Sequence, residues 1–536
     1  MLEIFKKSIW RSPVYSAWLS KGGTEKLVFT PPDPWPGEAS LGDALFQGRY
    51  NFAGQNFYSP KLPVWHPVGM GEAWLADMHG FSWLRHFKAR GGETARRHSR
   101  ALITNWLNQH GNWQAFPWRP DILGRRISAW MTNAGFLLED ADEIFINNFN
   151  KLITKQARHL SKVTNIKELT RLSKQLGNQK SSIAKINAVR GLLLTGLCLD
   201  GGYRRKEKAL YLLNDELFSQ ISSDGGHKSR TPSLHMSVLA DLVTMRDALT
   251  AAGEPPPEIL IVSIRRMAHA LRIFRSGDGA LSRFHGGISE NKFVVDRVLE
   301  SADGRTRSKG PLRLEETGFE RLVASKVILI ADTSPPPSGG HHATHSIEIS
   351  IGRDRFIGNC GPSFSRDADW DKALSATSAH STITIENTNA FSGKDKESDA
   401  KSHRSTSEIG GDRIDMVHYG YKKRLGVVCK RSIELSDSGR NITGMERIEG
   451  PSKKSFYCRF HLAPNVQASL SRNESSVLLK LGGHGWEFSF DGDAKLSIEP
   501  SIYITDTGEE RHTEQIILSG ETKKEIFELI WGLSRS

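Results

Sequence analysis

Cysteine is scarce in this chain of 536 residues. Cys198, Cys360, Cys429 and Cys458 are its four, far apart and without a CxxC pair, which excludes a zinc ribbon or a thioredoxin-type centre and leaves buried thiols as the plain reading. A disulfide among the last three would depend on compartment more than on spacing. Long apolar runs are lacking too. The longest, such as Val327 to Ala331, have the length of a buried strand, far short of the roughly 18 residues a membrane span needs. The N-terminus carries Lys6, Lys7 and Arg11 but is broken by Ser12, Pro13, Ser16 and Ser20, so no apolar core of a secretion signal is read there. Tyrosine is missing between Tyr211 and Tyr419. No GxSxG elbow, P-loop or HExxH motif occurs, nor any zinc-finger or RNA-binding signature, so nucleotide chemistry and nucleic-acid binding have no support.

What is present is an ordinary globular composition, 25% charged and 38% hydrophobic with 49 Gly and 22 Pro. At this length two large domains are expected, because single cores rarely grow past roughly 250 to 300 residues. The formal charge of +12 is unevenly placed. Residues 1–310 hold 43 Lys and Arg against 28 Asp and Glu, and residues 311–536 hold 29 against 32. A positive surface that attracts an anionic partner follows from the first part; a merely solvated basic face is the plainer alternative.

After the Pro-rich entry Pro31 to Gly37, helix-length patterns cover Glu93–His110, Asp121–Glu139, Ala141–Lys162, Ile183–Leu199 and Ser233–Ala251, separated by Gly, Pro or polar breaks. Leu234, Val238, Leu242, Met245 and Leu249 form one apolar stripe. From about 311 the period becomes two, in Leu322–Ala331, Ser346–Ile351, Ser381–Ile385, Arg459–Leu462 and Ser501–Thr505, with turn signals at Asp437-Ser438-Gly439 and Asp491-Gly492-Asp493. The expectation is a helical body over 70–310, preceded by an entry segment 1–69, and an antiparallel β-sandwich over 311–536. Ser392 to Gly411 reads as an exposed loop, and no repeat of fixed period is found.

Three segments could carry chemistry. In Asp224 to His235, Thr231 and Pro232 open a helix whose N-terminus favours anions, with His227, Lys228 and Arg230 adding donors and His235 one turn in; a well-capped helix under a basic loop is the alternative. In Phe284-His285-Gly286-Gly287, glycines that bring backbone close to a ligand would make His285 a base or donor. Trp118, Arg119, Asp121, Arg125 and Arg126 offer a stacking face and guanidinium forks for acidic sugars, or else helix packing. In the β half, His341, His342 and His345 lie near one another in sequence and His380 and His461 further on; a divalent metal on the first three competes with plain exposed histidines.

Landmarks across nearly the full length carry a family resemblance: Gly48 to Gly54, His79-Gly80-Phe81-Ser82-Trp83-Leu84, Trp118-Arg119-Pro120-Asp121, Asp224 to His235, Phe284 to Gly287, Arg355 to Gly361, Ala379-His380-Ser381-Thr382, Arg459-Phe460-His461 and Gly485-Trp486. The chain resembles the bacterial heparinase II/III-like proteins, relatives of polysaccharide lyases. The resemblance implies a multidomain α+β fold, an incomplete (α/α) toroid followed by an antiparallel β-sandwich, with an anionic polysaccharide as partner. It implies β-elimination at a uronate, with no cofactor required. His227, His235 and His285 would divide base and acid roles, with Arg230 neutralising the carboxylate; Tyr419 or Tyr421 are alternative acids. Trp118, Arg119, Asp121, Arg125, Lys228 and His380 would bind substrate. Ser229 and Leu234-His235 stand where such lyases carry an acidic or amide residue and a Tyr-His pair, and His341-His342-Ala343-Thr344 lacks the Asp of the family's His-Ala-Asp element. The rival expectations are a non-catalytic acidic-glycan-binding envelope protein, and a hydrolase using Asp121 and Asp224. Relatives imply the cell envelope or periplasm, whereas the lack of a recognised export signal implies the cytoplasm. Oligomeric state is open.

Overall fold

The computed structural model describes residues 2–61, 65–176, 178–305, 308–364, 368–391, 400–406 and 411–535. By internal contact the chain divides into two units, one of residues 1–220 and 237–265 and the other of residues 221–236 and 266–536. The loop Asp224 to Thr231 and the helix Lys292–Asp303 thus go with the β region.

In the first unit the expected helices form as Gly92–His110, Glu143–Val163 and Asn178–Cys198. The pattern over Asp121–Glu139 splits into Pro120–Thr132 and Ala134–Leu138, where Asn133 leaves helical geometry. Asp142 accepts from the backbone N–H of Phe145 at 2.7 Å, satisfying a donor that the helix start leaves open. Helices Pro120–Thr132 and Asn178–Cys198 touch backbone to backbone: a Cβ on Gly191 would stand 2.4 Å from the Gly124 Cα, so only glycine permits this approach. The Pro-rich entry packs here through Trp35, whose indole donates to Thr244 Oγ1 at 2.9 Å.

The helix Pro232–Ala251 departs from the one-stripe expectation. Val238, Leu242, Met245 and Leu249 are buried, but so are Met236, Leu239, Val243 and Ala248 on its other sides, as in a helix packed all round.

The second unit holds two antiparallel sheets of eight and nine strands among the described residues. The larger carries Phe319–Ala324, Val327–Asp332, Ile347–Ile351, Asp354–Gly358, Ser455–Leu462, Glu510–Glu521 and Lys495–Ile504; the other carries Val428–Leu435, Asn441–Glu449, Ile526–Arg535 and His484–Asp491. The single run expected at Leu322–Ala331 is a hairpin, turned at Ser325 with φ of 52°. Side chains of both sheets share one core, with Leu329, Ile347 and Phe460 on one side and Ile433, Leu529 and Trp531 on the other, which is the alternation a sandwich requires. Of the expected loop Ser392 to Gly411, residues 392–399 and 407–410 lie outside the described residues, whereas Ala400–Thr406 is an edge strand paired with Asp412–His418.

Candidate active site in the second unit

The loop before Pro232 is clamped by its own side chains. Asp224 accepts from Gly226 N at 3.0 Å, Thr317 N at 2.8 Å and Thr317 Oγ1 at 2.6 Å. A Cβ on Gly226 would overlap Thr317 Oγ1, so glycine is obligatory at this contact. Asp224 is therefore a structural carboxylate here. The next residue of interest, Arg230, has a left-handed φ of 54° and is 7% exposed. Its guanidinium donates to the carbonyls of Thr317 at 2.7 Å, Gly318 at 3.2 Å and Pro335, and to Asp332 Oδ1. Four of its five N–H groups are thus taken by the protein, and Arg230 ties the loop to the strand Val327–Asp332.

Asp332 also faces His285. Its Oδ2 lies 3.1 Å from His285 Nε2, and both side chains are buried. His285 sits in a short 3-10 turn with φ of 52°, followed by Gly286 at 74°. Burial lowers the His285 pKa, with the Asp332 charge opposing.

Gly286 brings a second histidine into the site. A Cβ there would stand 2.7 Å from His341 Nε2. His341 Nδ1 is 2.9 Å from His380 Nε2, and His380 Nδ1 is 2.8 Å from the carbonyl of Ala376. A carbonyl only accepts, so His380 carries its proton on Nδ1, its Nε2 accepts from His341 Nδ1, and His341 Nε2 keeps its lone pair. Burial holds His380 down to about 3 and His341 well below the ordinary histidine value, so both rings are neutral at pH 7. His341 is only partly buried. Its bare Nε2 faces the turn that carries His285, whose Nε2 has Asp332 Oδ2 3.1 Å away.

The other sequence-predicted residues are distributed as follows. His227 bonds Ser229 Oγ at 2.8 Å, and burial pushes its pKa to about 3. His235 donates through Nε2 to the Met267 carbonyl at 2.9 Å and packs on Phe274; burial pushes it to about 4. The two ring nitrogens of His285 have no hydrogen-bond partner among the described residues. Thr231 donates to the carbonyls of Ser229 and His285. Lys228 is exposed. Tyr421 is fully buried, its hydroxyl 3.2 Å from the Thr388 carbonyl, and burial raises its pKa. His341, His342 and His345 do not converge: their ligand atoms form no group within 4.8 Å. His341 pairs with His380, His342 accepts from Thr377 Oγ1 through its carbonyl, and His345 meets His418 edge to face. A divalent metal finds no common donor set on those three.

In the first unit Trp118 is buried with its indole on the His110 carbonyl at 2.9 Å. Arg119 holds Asp121 through Nε at 2.7 Å and Glu72 at 2.6 Å, and Arg125 holds Asp77. One cluster escaped the sequence reading. The ring nitrogens of His66, His79 and His110 lie within 4.8 Å of one another, on three segments whose approach no local pattern reveals. Trp106 donates to His79 Nδ1 at 3.0 Å, so the neutral His79 ring carries its proton on Nε2, the nitrogen a metal would need bare.

Residues 306–532 match the family model described as Heparinase II/III-like, C-terminal. The chain is 28% identical over 549 residues to FtsZ-localized protein C of Caulobacter vibrioides (strain NA1000 / CB15N), covering 96% of this chain and 91% of that one. Among solved structures it is similar to heparinase III, with a TM-score of 0.76 and 13% identity over 99% of this chain and 91% of that chain. It is also similar to heparan sulfate lyase HepC from Pedobacter heparinus, with a TM-score of 0.62 and 15% identity over 97% and 87%. At these identities the structural matches speak for the fold. The chain has the heparinase III-like fold, helices followed by antiparallel sheets, and its C-terminal domain belongs to the heparinase II/III-like family.

Proposed function

We propose that this protein is a polysaccharide lyase that cleaves a uronate-containing anionic polysaccharide by β-elimination, with His341 as the base. The observation that carries the reading is the chain Ala376 carbonyl, His380, His341, which leaves the His341 Nε2 lone pair beside the His285 turn. In the reaction His341 Nε2 takes the proton alpha to the uronate carboxyl group. The electron pair forms the carbon–carbon double bond, the bond to the glycosidic oxygen breaks, and the His341 imidazolium returns the proton to that oxygen. His285, with Asp332 Oδ2 beside its Nε2, holds the turn that His341 Nε2 faces and so positions it. Arg230 acts at one remove, by holding Asp332. No metal enters the scheme.

The test is an ultraviolet assay for unsaturated uronate, with purified protein and a panel of heparan-type, chondroitin-type, alginate and bacterial acidic polysaccharides. Turnover that falls about 10²–10⁴-fold in His341→Ala supports the base assignment; turnover unchanged in that variant sinks it.

A second reading is a non-catalytic acidic-glycan-binding protein of the cell envelope. It is favoured by Arg230, whose donors are committed to the protein, and by the buried Tyr421 hydroxyl. The likeness to FtsZ-localized protein C suits a place at the division site under either reading. Salt-sensitive glycan binding with no turnover on any member of the panel would favour this second reading.

A further inference from the structure

A narrow cavity in the second unit has no role in the scheme above. It is lined by Arg283, Glu348, Arg355, Asn359, His461 and Tyr503 among others. The space open to the centre of a water-sized sphere is about 20 Å³, against roughly 10–15 Å³ for a single water, so it admits one small group and excludes a sugar ring.

Most of its polar lining is committed. Arg355 donates to Asp278 Oδ2 at 2.9 Å and to the Leu281 carbonyl at 2.9 Å. Glu348 Oε1 accepts from the Arg283 backbone N–H at 2.9 Å and from Asn359 Nδ2 at 3.1 Å. His461 bonds Ser501 Oγ at 2.7 Å and the Ser378 carbonyl at 3.0 Å. Arg283 is the exception. It is 1% exposed, its guanidinium lies 4.0 Å over the Tyr503 ring, and Nη2 donates to the Ile504 carbonyl. Its Nε and Nη1 find no acceptor among the described residues. A Cβ on Gly361 would overlap Arg283 Nη2, so the backbone leaves room only for the guanidinium. A buried cation with unmatched donors, fixed on an aromatic face, is built for an anionic acceptor.

We infer that this cavity is an anion subsite in which Arg283 receives a single oxyanion, the carboxylate or sulfate group of an acidic saccharide. Glu348 faces the same space without a side-chain hydrogen bond to Arg283; its Oε1 accepts from Asn359 and the Arg283 backbone N–H, burial raises its pKa, and the Arg355 and Arg283 charges oppose that rise. The saccharide part of the inference rests on the glycan reading above; the anion pocket itself does not require turnover.

Isothermal titration calorimetry on the full chain tests it, with glucuronate, glucose 6-sulfate and neutral glucose as probes. The expected result is saturable binding of glucuronate, glucose 6-sulfate or both, none of glucose, and at least a tenfold loss of affinity in Arg283→Met with partial retention in Arg283→Lys. The two acids identify which oxyanion is taken. Crystals of the unaltered protein soaked in bromide supply a readout independent of any variant, with an anomalous peak expected within hydrogen-bond reach of Arg283. Equal binding of glucose, affinity unchanged in Arg283→Met, or no heat together with no peak at Arg283 overturns the inference. Anion binding retained in a protein without turnover would count against the lyase reading alone, and turnover without anion binding would count against this one.

Discussion

Arg431 and Glu446 face each other on neighbouring strands inside the sandwich, Nε to Oε1 at 2.6 Å, each side chain 1% exposed. The pair has further partners, although Glu446 Oε2 finds none among the described residues. Arg431 also donates to the carbonyls of His345 at 2.6 Å and Ser381 at 3.0 Å, and Trp531 donates to Glu446 Oε1 at 3.1 Å. Such geometry is what lets a buried ion pair offset its own desolvation. Removing one partner, as in Glu446→Leu, leaves an unpaired guanidinium in the core and should cost about 3–5 kcal/mol. Urea denaturation of Glu446→Leu and of the double variant Arg431→Met with Glu446→Leu checks it. The double variant should be less destabilised than the single one; equal loss would mean that packing, not charge, sets the cost.

Asp332 joins the structural and chemical parts of the candidate site, with Arg230 on one oxygen and His285 near the other. Asp332→Asn keeps the shape and removes the charge. Its expected effects are a turnover loss of about 10²-fold or more and a stability loss of about 3–5 kcal/mol from the uncompensated Arg230. The uronate assay and thermal melting read the two separately. Full activity in a folded Asp332→Asn protein would remove His285 from the mechanism.

Gly286 combines φ of 74° with 2.7 Å between its would-be Cβ and His341 Nε2. Gly286→Ala therefore strains the backbone by about 1–3 kcal/mol and displaces the imidazole. Turnover should fall further than the modest change in melting temperature implies. A crystal structure of the variant with His341 unmoved and activity normal would contradict this.

The buried histidines give the protein a defined acid limit. His159, His227, His380 and His418 are pushed to about 3, and His235 and His461 to about 4, chiefly by burial. Their folded values lie below the unfolded value of about 6.5, so in that window the unfolded chain binds more protons. Stability is complete above about pH 6.5 and falls with pH through the range down to about 3–4, by up to about 1.4 kcal/mol per pH unit for each such histidine. Melting temperatures at pH 7.5 and 5 should differ strongly, and His418→Phe should reduce the slope. A flat profile from pH 7.5 to 5 would contradict the neutral, buried state of these rings.

Much of the fold is written locally. The helices Gly92–His110 and Glu143–Val163 follow from apolar spacing and from the Asp142 cap. The turn at Gly439 follows from its composition, because φ of 66° suits glycine. The hairpin within Leu322–Ala331 was less legible, since Ser325 and Lys326 reverse the chain without a Gly or Pro signal. His285 and Arg230 could be named from their glycine-rich and helix-opening contexts. Their relation to Asp332 could not, because 102 residues separate Arg230 from it.

The sequence by itself determined the order of helices before strands, the glycines that permit close approach at Gly226 and Gly286, and the stock of histidines and arginines. Tertiary structure decided their employment. Arg230 became a brace and Arg283 a buried cation with unmatched donors. His341 kept a bare, oriented Nε2 when His380 and the Ala376 carbonyl fixed its proton on Nδ1. The physical reason is that backbone preference and apolar periodicity act over a few residues, whereas desolvation, tautomer choice and charge pairing depend on which distant groups the fold brings within about 3 Å.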